Sequence, residues 1–196
     1  MGQELECRMK YQRRSFAGKA YLETDHILFR GSERVKISLK DLTSVSAKGG
    51  VLTLEFEGGP AVLQLGAAAE KWAQKILHPA TRADKLGIKA GLAVRTEGEF
   101  DAEFLAELKG TEGAKGKADL LFYLAPDGDA LGRISKLAKE LKPAGALWVV
   151  YPKGVAAIRE VEVIERGRAA GLKDVKVASF SVTHTALKFV IPVADR

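Results

Sequence analysis

Apolar residues skip every second position in Val35-Lys36-Ile37-Ser38-Leu39 and again in Leu52-Thr53-Leu54-Glu55-Phe56, the two-residue period of a half-buried β-strand. Between residues 8 and 65 this pattern predicts seven short strands, over 8–16, 19–23, 26–30, 34–39, 43–48, 51–57 and 61–65. Turn signals separate them at Gly18, Thr24-Asp25, Gly31-Ser32, Lys40-Asp41, Gly49-Gly50 and Gly58-Gly59-Pro60. Short strands in direct succession favour a small antiparallel barrel or sandwich. The period then lengthens. Ala69, Trp72, Ala73 and Ile76 fall on one face of a helix over 67–77, and Glu70, Lys71, Gln74 and Lys75 on the other. Trp72 is expected in the core.

Beyond residue 80 the grammar changes. The runs at 119–124 and 146–151 carry apolar residues almost without a break, and a third strand is expected over 92–96. Strands of this kind are covered on both faces, as in a parallel sheet flanked by helices. Leu131, Ile134, Leu137, Ala138 and Leu141 recur at spacings of three and four, giving a helix that Pro143 and Gly145 should stop. Lys136, Lys139 and Lys142 lie outside that stripe. A further helix is expected over 155–170, with Ala157, Val161 and Ile164 inward and Gly171 as its stop. An antiparallel hairpin over 175–182 and 185–191 should follow, with Leu187, Phe189 and Ile191 toward the core and Lys188 toward water. His78-Pro79-Ala80 marks the boundary, because Pro79 disfavours helix at the residue before it. Thr81 and Asp84 have the spacing of a capping box for a helix that starts after it. Two domains are therefore expected, 1–79 all-β with a closing helix and 80–196 α/β.

Composition narrows the partners. Net charge is +6, yet residues 1–80 carry 12 basic and 9 acidic side chains and residues 81–196 carry 19 and 16. So even a division predicts a mixed, solvated surface and no nucleic-acid partner. Cys7 is the only cysteine, which excludes an intrachain disulfide and favours a reducing cytoplasm. The opening ten residues lack the apolar stretch of a signal peptide. Gly2 is followed by Glu6 where a myristoylation motif wants Ser or Thr. No run approaches the length of a membrane span.

Seven strands closed by a helix with an inward Trp resemble the pleckstrin-homology-like fold, including its bacterial versions, over residues 7–78. In that fold some members bind phosphoinositides at the first turn, which makes Lys10, Arg13, Arg14 and Lys19 in KYQRRSFAGK the candidates for a lipid or other anion. The segments LGIKAGLAVRTEG, ADLLFYLAP, LAKELKPAGALWVVYPKG and AAGLKDVKVASFSVTHTALKFVIP resemble, in order, the elements of Rossmann-like S-adenosylmethionine methyltransferases. More closely they resemble an uncharacterised bacterial family that keeps this fold in reduced form. The resemblance covers residues 82–192 and implies S-adenosylmethionine as cofactor. Its acidic residue and Gly-x-Gly loop after the first strand are here Glu97-Gly98-Glu99-Phe100-Asp101, with one glycine. Glu112 is the only counterpart of the acidic residue that grips the cofactor ribose.

The polar groups expected at the carboxyl edge of the second sheet are Glu97, Glu99, Tyr151, Lys153, His184 and Thr185. His184, near a strand end, is a candidate general base near neutral pH, and Lys153 can hold an anion or pair with Glu97 or Glu99 across the cleft. No Cys/His grouping fits a metal site and no Walker loop is present. These features point first to a non-catalytic binding, scaffold or regulatory protein with a protein partner. The alternatives are a methyltransferase or cofactor sensor and a peripheral membrane adaptor working through the first domain.

Overall fold

A computed structural model describes residues 3–196, so Met1 and Gly2, with the myristoylation reading of Gly2, lie outside the described residues. The chain divides into two compact units, Met1–Pro79 and Ala80–Arg196.

The first unit is one seven-stranded antiparallel sheet closed by a helix. Its strands are β1 (Gln3–Tyr11), β2 (Arg14–Leu22), β3 (His26–Gly31), β4 (Arg34–Ser38), β5 (Leu42–Lys48), β6 (Val51–Phe56) and β7 (Ala61–Gln64). Their order in the sheet is β4-β3-β2-β1-β7-β6-β5. The inner face carries Met9, Phe16, Ala20, Phe29, Ile37, Leu52, Leu54 and Leu63. Helix α1 (Ala69–Leu77) lays Trp72, 2% exposed, on that core.

The count of seven strands agrees with the sequence pattern, but the first turn does not. It falls at Gln12-Arg13, both with positive φ (48° and 62°), and Tyr11 pairs with Arg14 across it. Two successive left-handed residues match the twist of a tight hairpin, a role normally signalled by Asn or Gly. Gly18 lies inside β2 instead, opposite Gly31 of β3. A Cβ at Gly18 would stand 2.8 Å from the Gly31 Cα. The glycine is there for close backbone approach, not for a turn.

The second unit is an open sheet in the order β12-β13-β11-β10-β8-β9. Its strands are β8 (Ala93–Glu97), β9 (Glu112–Gly113), β10 (Ala118–Leu124), β11 (Leu141–Pro152), β12 (Lys173–Ser179) and β13 (His184–Val190). The first four are parallel, and the β12–β13 hairpin adds to β11 antiparallel. Residues from α2 (Arg82–Leu86) and α3 (Ala102–Glu107) contribute Leu86 and Phe104 to the core on one face, with Val94, Phe122 and Trp148. On the other face α4 (Ile134–Ala138) and α5 (Glu160–Ala169) pack on Leu121, Tyr123, Leu147, Val149 and Tyr151. Thr81 and Asp84 form the expected capping box.

Several boundaries move. Pro143 and Gly145 do not stop the helix, which ends at Ala138; they sit in the first stretch of β11. Between the pairs Ala118↔Leu141 and Leu120↔Ala146 the register slips. The proline stands in that irregularity, where the missing amide breaks no ladder bond. Helix α5 starts at Glu160, five residues later than the pattern predicted. Ala157 precedes it, exposed, and Val161 is 50% exposed; Ile158 and Val163 are the buried residues. Lys188 is half-buried, its ammonium 5.8 Å from the centroid of the Trp148 ring, and burial lowers its pKa.

Candidate functional site

In an open parallel sheet, ligands bind beyond the carboxyl ends of the strands where the chain order reverses. Here that point lies between β8 and β10, since the chain moves outward to β9 on one side and to β11 on the other. The loop leaving β8 turns at Gly98 (φ 103°), where a Cβ would stand 2.9 Å from the Leu124 Cβ. Asp101 then caps α3 by accepting from the Phe104 amide at 2.7 Å. The glycine is thus spent on packing against β10, and an acid occupies the helix start, where it meets the positive end of the dipole.

Glu97 closes β8 and is already doubly engaged. Its Oε1 accepts from Arg95 Nε at 3.2 Å and its Oε2 from Arg133 Nη2 at 2.9 Å. Arg95 reaches on to Glu140 at 2.7 Å, so Arg133, Glu97, Arg95 and Glu140 alternate in charge along one chain of contacts. The Arg133 guanidinium also lies 5.8 Å from the centroid of Tyr123, whose hydroxyl donates to the Ala130 carbonyl at 2.6 Å. Burial raises the Tyr123 phenol above its ordinary pKa. Glu99 is exposed on the loop beyond.

A second set of groups gathers at the end of β11, two strands away. A shallow hollow of about 310 Å³ is lined by Tyr151, Lys153, Gly154, Ile158, Glu160 and Thr185 among others. Tyr151 is 4% exposed, and its hydroxyl donates to Glu160 Oε2 at 2.9 Å. Burial first, and then the Glu160 carboxylate, push this phenol far above the usual range. It is a fixed donor, not a base. Lys153 does not cross to Glu97 or Glu99 as the sequence allowed: its Nζ donates to Ser179 Oγ at 3.0 Å and to the Ser181 carbonyl at 2.6 Å. Its backbone N–H donates to the Thr183 carbonyl at 2.8 Å, so the exit of β11 is stitched to the β12–β13 loop. His184 pairs with Pro152 in the ladder and shares a 2.9 Å hydrogen bond with the Thr183 hydroxyl.

The six residues expected at one cleft therefore form two groups: Tyr151, Lys153, His184 and Thr185 around β11 and β13, and Glu97 with Glu99 at β8. Arg95, Arg133 and Glu160, which neutralise or anchor them, carried no signal in the sequence beyond an acid in a first helical turn. Glu112 lies exposed on the two-residue strand β9. Among the described residues no group of three or more His, Cys, Asp or Glu is arranged to hold a metal ion.

In the first unit, the four basic residues placed near the first turn are not one cluster. Lys10 and Arg13 border a hollow of about 390 Å³ with Tyr11, Gly58 and Pro60. Arg14 pairs with Glu33 at 3.0 Å. Lys19 lies well down β2 and pairs with Glu4 at 3.2 Å and Glu6 at 3.9 Å.

No protein-family model and no curated protein sequence matches the chain. Among solved structures it is similar to the Methanococcus jannaschii fibrillarin pre-rRNA processing protein, at 12% identity and TM-score 0.41, over 95% of this chain and 98% of that one. Aeropyrum pernix fibrillarin, solved with natively bound S-adenosyl-L-methionine, gives 14% identity and TM-score 0.40, over 76% and 99%. A TehB-like S-adenosylmethionine-dependent methyltransferase from Corynebacterium glutamicum gives 11% and 0.40, over 63% and 95%. Likeness at this level transfers neither an activity nor a ligand.

Proposed function

We propose that the protein is a non-catalytic binding or regulatory protein in which a methyltransferase-like sheet serves as a recognition module beside a pleckstrin-homology-like one. The observation that carries this reading is the double engagement of Glu97 by Arg95 and Arg133 at the point where an open α/β sheet would receive a ligand. A carboxylate held by two guanidiniums is a poor hydrogen-bond acceptor for a ribose or an amine. Tyr151 and Lys153 are likewise committed, to Glu160 and to the β12–β13 loop. The partner is a protein, and the protein works in the cytoplasm.

A second reading, an S-adenosylmethionine-dependent methyltransferase or a sensor of that cofactor, is favoured by the sheet itself. Its parallel strands and antiparallel closing hairpin follow the element order of the methyltransferase-like sheet that the sequence resembles. Thermal unfolding with and without S-adenosylmethionine or S-adenosylhomocysteine separates the two. Ligand at one hundred times its Kd stabilises by about 2.7 kcal/mol, a shift of several degrees for a domain of this size. The binding-protein reading expects no shift at millimolar ligand, and a saturable shift overturns it in favour of the second.

A further inference from the structure

The first sheet carries an arrangement that its own stability does not explain. On its outer face, opposite Phe29 and Val35 of the core side, Arg30 of β3 stands directly across from Arg34 of β4. Arg30 is also the ladder partner of Lys19 on β2, so three cations occupy one row across three strands. Residues paired in this way have Cα atoms about 5 Å apart, and like charges so placed disfavour folding. Lys19 is relieved by Glu4 and Glu6. Among the described residues, Arg30 and Arg34 have no acidic partner within ion-pair distance. The Arg30 guanidinium lies over the Tyr21 ring, 5.3 Å from its centroid.

The neighbouring positions extend the feature. Two residues before Lys19 on the same face is Ala17, exposed and small, and its ladder partner on β1 is Arg8. Arg8 also lacks an acidic partner among the described residues. A low floor at Ala17 is thus bordered by Arg8, Lys19 and Arg30, with Arg34 beyond. Arginine dominates this group, and its planar fork suits the oxygens of phosphate. The acids mark the limit of the patch. Glu6 ends the row on β1, and Glu4 stands two residues from it on the same face. An extended polyanion lying along the row would run onto these carboxylates, whereas a single compact dianion would not.

We propose that Arg30 and Arg34, with Arg8 and Lys19 at the flank, form a binding site for a phosphate monoester dianion on the outer face of β1–β4. Opposed guanidiniums that repel one another in the free protein attract a dianion between them. The site is separate from the hollow at the β1–β2 turn and from the carboxyl edge of the second sheet.

The test is a calorimetric titration of the full chain with three probes in low-salt buffer: inorganic phosphate, a short phosphoserine peptide and a 12-nucleotide single-stranded DNA. Saturable binding of phosphate or the phosphopeptide is expected, weakened about tenfold or more in Arg34→Gln and Arg30→Gln, as for loss of a charge-assisted hydrogen bond. Arg13→Gln, at the first turn, should bind as the native chain does. Binding of phosphate alone assigns a small phosphorylated ligand, and preference for the peptide assigns a phosphorylated protein. Equal affinity in Arg34→Gln, no binding of phosphate or of the phosphopeptide, or tighter binding of the DNA overturns the proposal. Unfolding of the same variants guards against misreading: Arg34→Gln should melt no lower than the native chain, since it removes a repulsion.

Discussion

Arg82 and Glu107 join α2 to α3 through a paired contact: Arg82 Nε donates to Glu107 Oε1 at 3.0 Å and Oε2 at 3.1 Å. The same guanidinium lies 5.4 Å from the centroid of Phe104 and 5.0 Å from that of Phe180. Only 14% of its side chain is exposed. A cation held between two rings and a carboxylate fastens the short helices, which have too few turns to stand alone.

Replacing Arg82 by Met keeps much of the apolar stem but leaves the half-buried Glu107 without its partner. A loss of about 1–3 kcal/mol is expected, read as a lower midpoint in urea unfolding. Glu107→Gln, which retains an acceptor, should cost less. Equal losses for the two would mean that the charge pair carries the effect and the ring contacts contribute little.

Gly167 faces the core from α5, and a Cβ built there would overlap the edge of the Phe189 ring at Cε1 and Cζ. Gly167→Ala improves helix propensity by about 1 kcal/mol, yet overpacking of this kind costs about 1–3 kcal/mol. Net destabilisation is expected. Combining it with Phe189→Leu should recover part of the loss, and strictly additive effects in that double-mutant cycle would contradict the contact.

Asp119 accepts from Lys142 Nζ at 2.7 Å and from the Ala93 amide at 2.9 Å. The lysine first, and then the amide, hold its carboxyl below the usual carboxylate range. A carboxyl with a depressed folded-state pKa stabilises above its unfolded value, near 3.9. That contribution disappears as pH falls through the lower, folded value. The melting temperature should therefore decline with acidification below about pH 4, and Asp119→Asn should flatten part of the decline. With the pair 30% and 44% exposed, the effect is at most about 1 kcal/mol.

Trp72 is the large side chain that α1 contributes to the first core. Trp72→Ala is expected to cost about 3–5 kcal/mol, lowering the unfolding midpoint with a change in the fluorescence signal, since Trp148 remains as the other reporter.

Periodicity made most of the fold legible and almost none of the site. The alternation in β4 and β6 and the unbroken apolar run of β10 and β11 are consequences of which faces are buried, so the sequence displays them directly. The first turn was hidden because Gln12 and Arg13 adopt left-handed backbone without the residues that advertise it. Gly18 advertised a turn that is not there. At the carboxyl edge, Lys153 and Tyr151 were recognisable as polar groups after a buried strand. Their partners were not, because Glu160 and Ser181 reach them only through the packing of α5 and of the β12–β13 loop. Arg133 belongs to a helical region whose apolar stripe says nothing about where an outward guanidinium will land.

The approach of Gly18 to Gly31 places one steric constraint on two positions thirteen residues apart. A methyl group at either one meets the backbone of the opposite strand, so no change at the other, short of moving that strand, makes room for it. In a library randomised at both codons and sorted for folded protein, glycine should return at both positions together, and the pair should tolerate less variation than any outward residue of the same two strands.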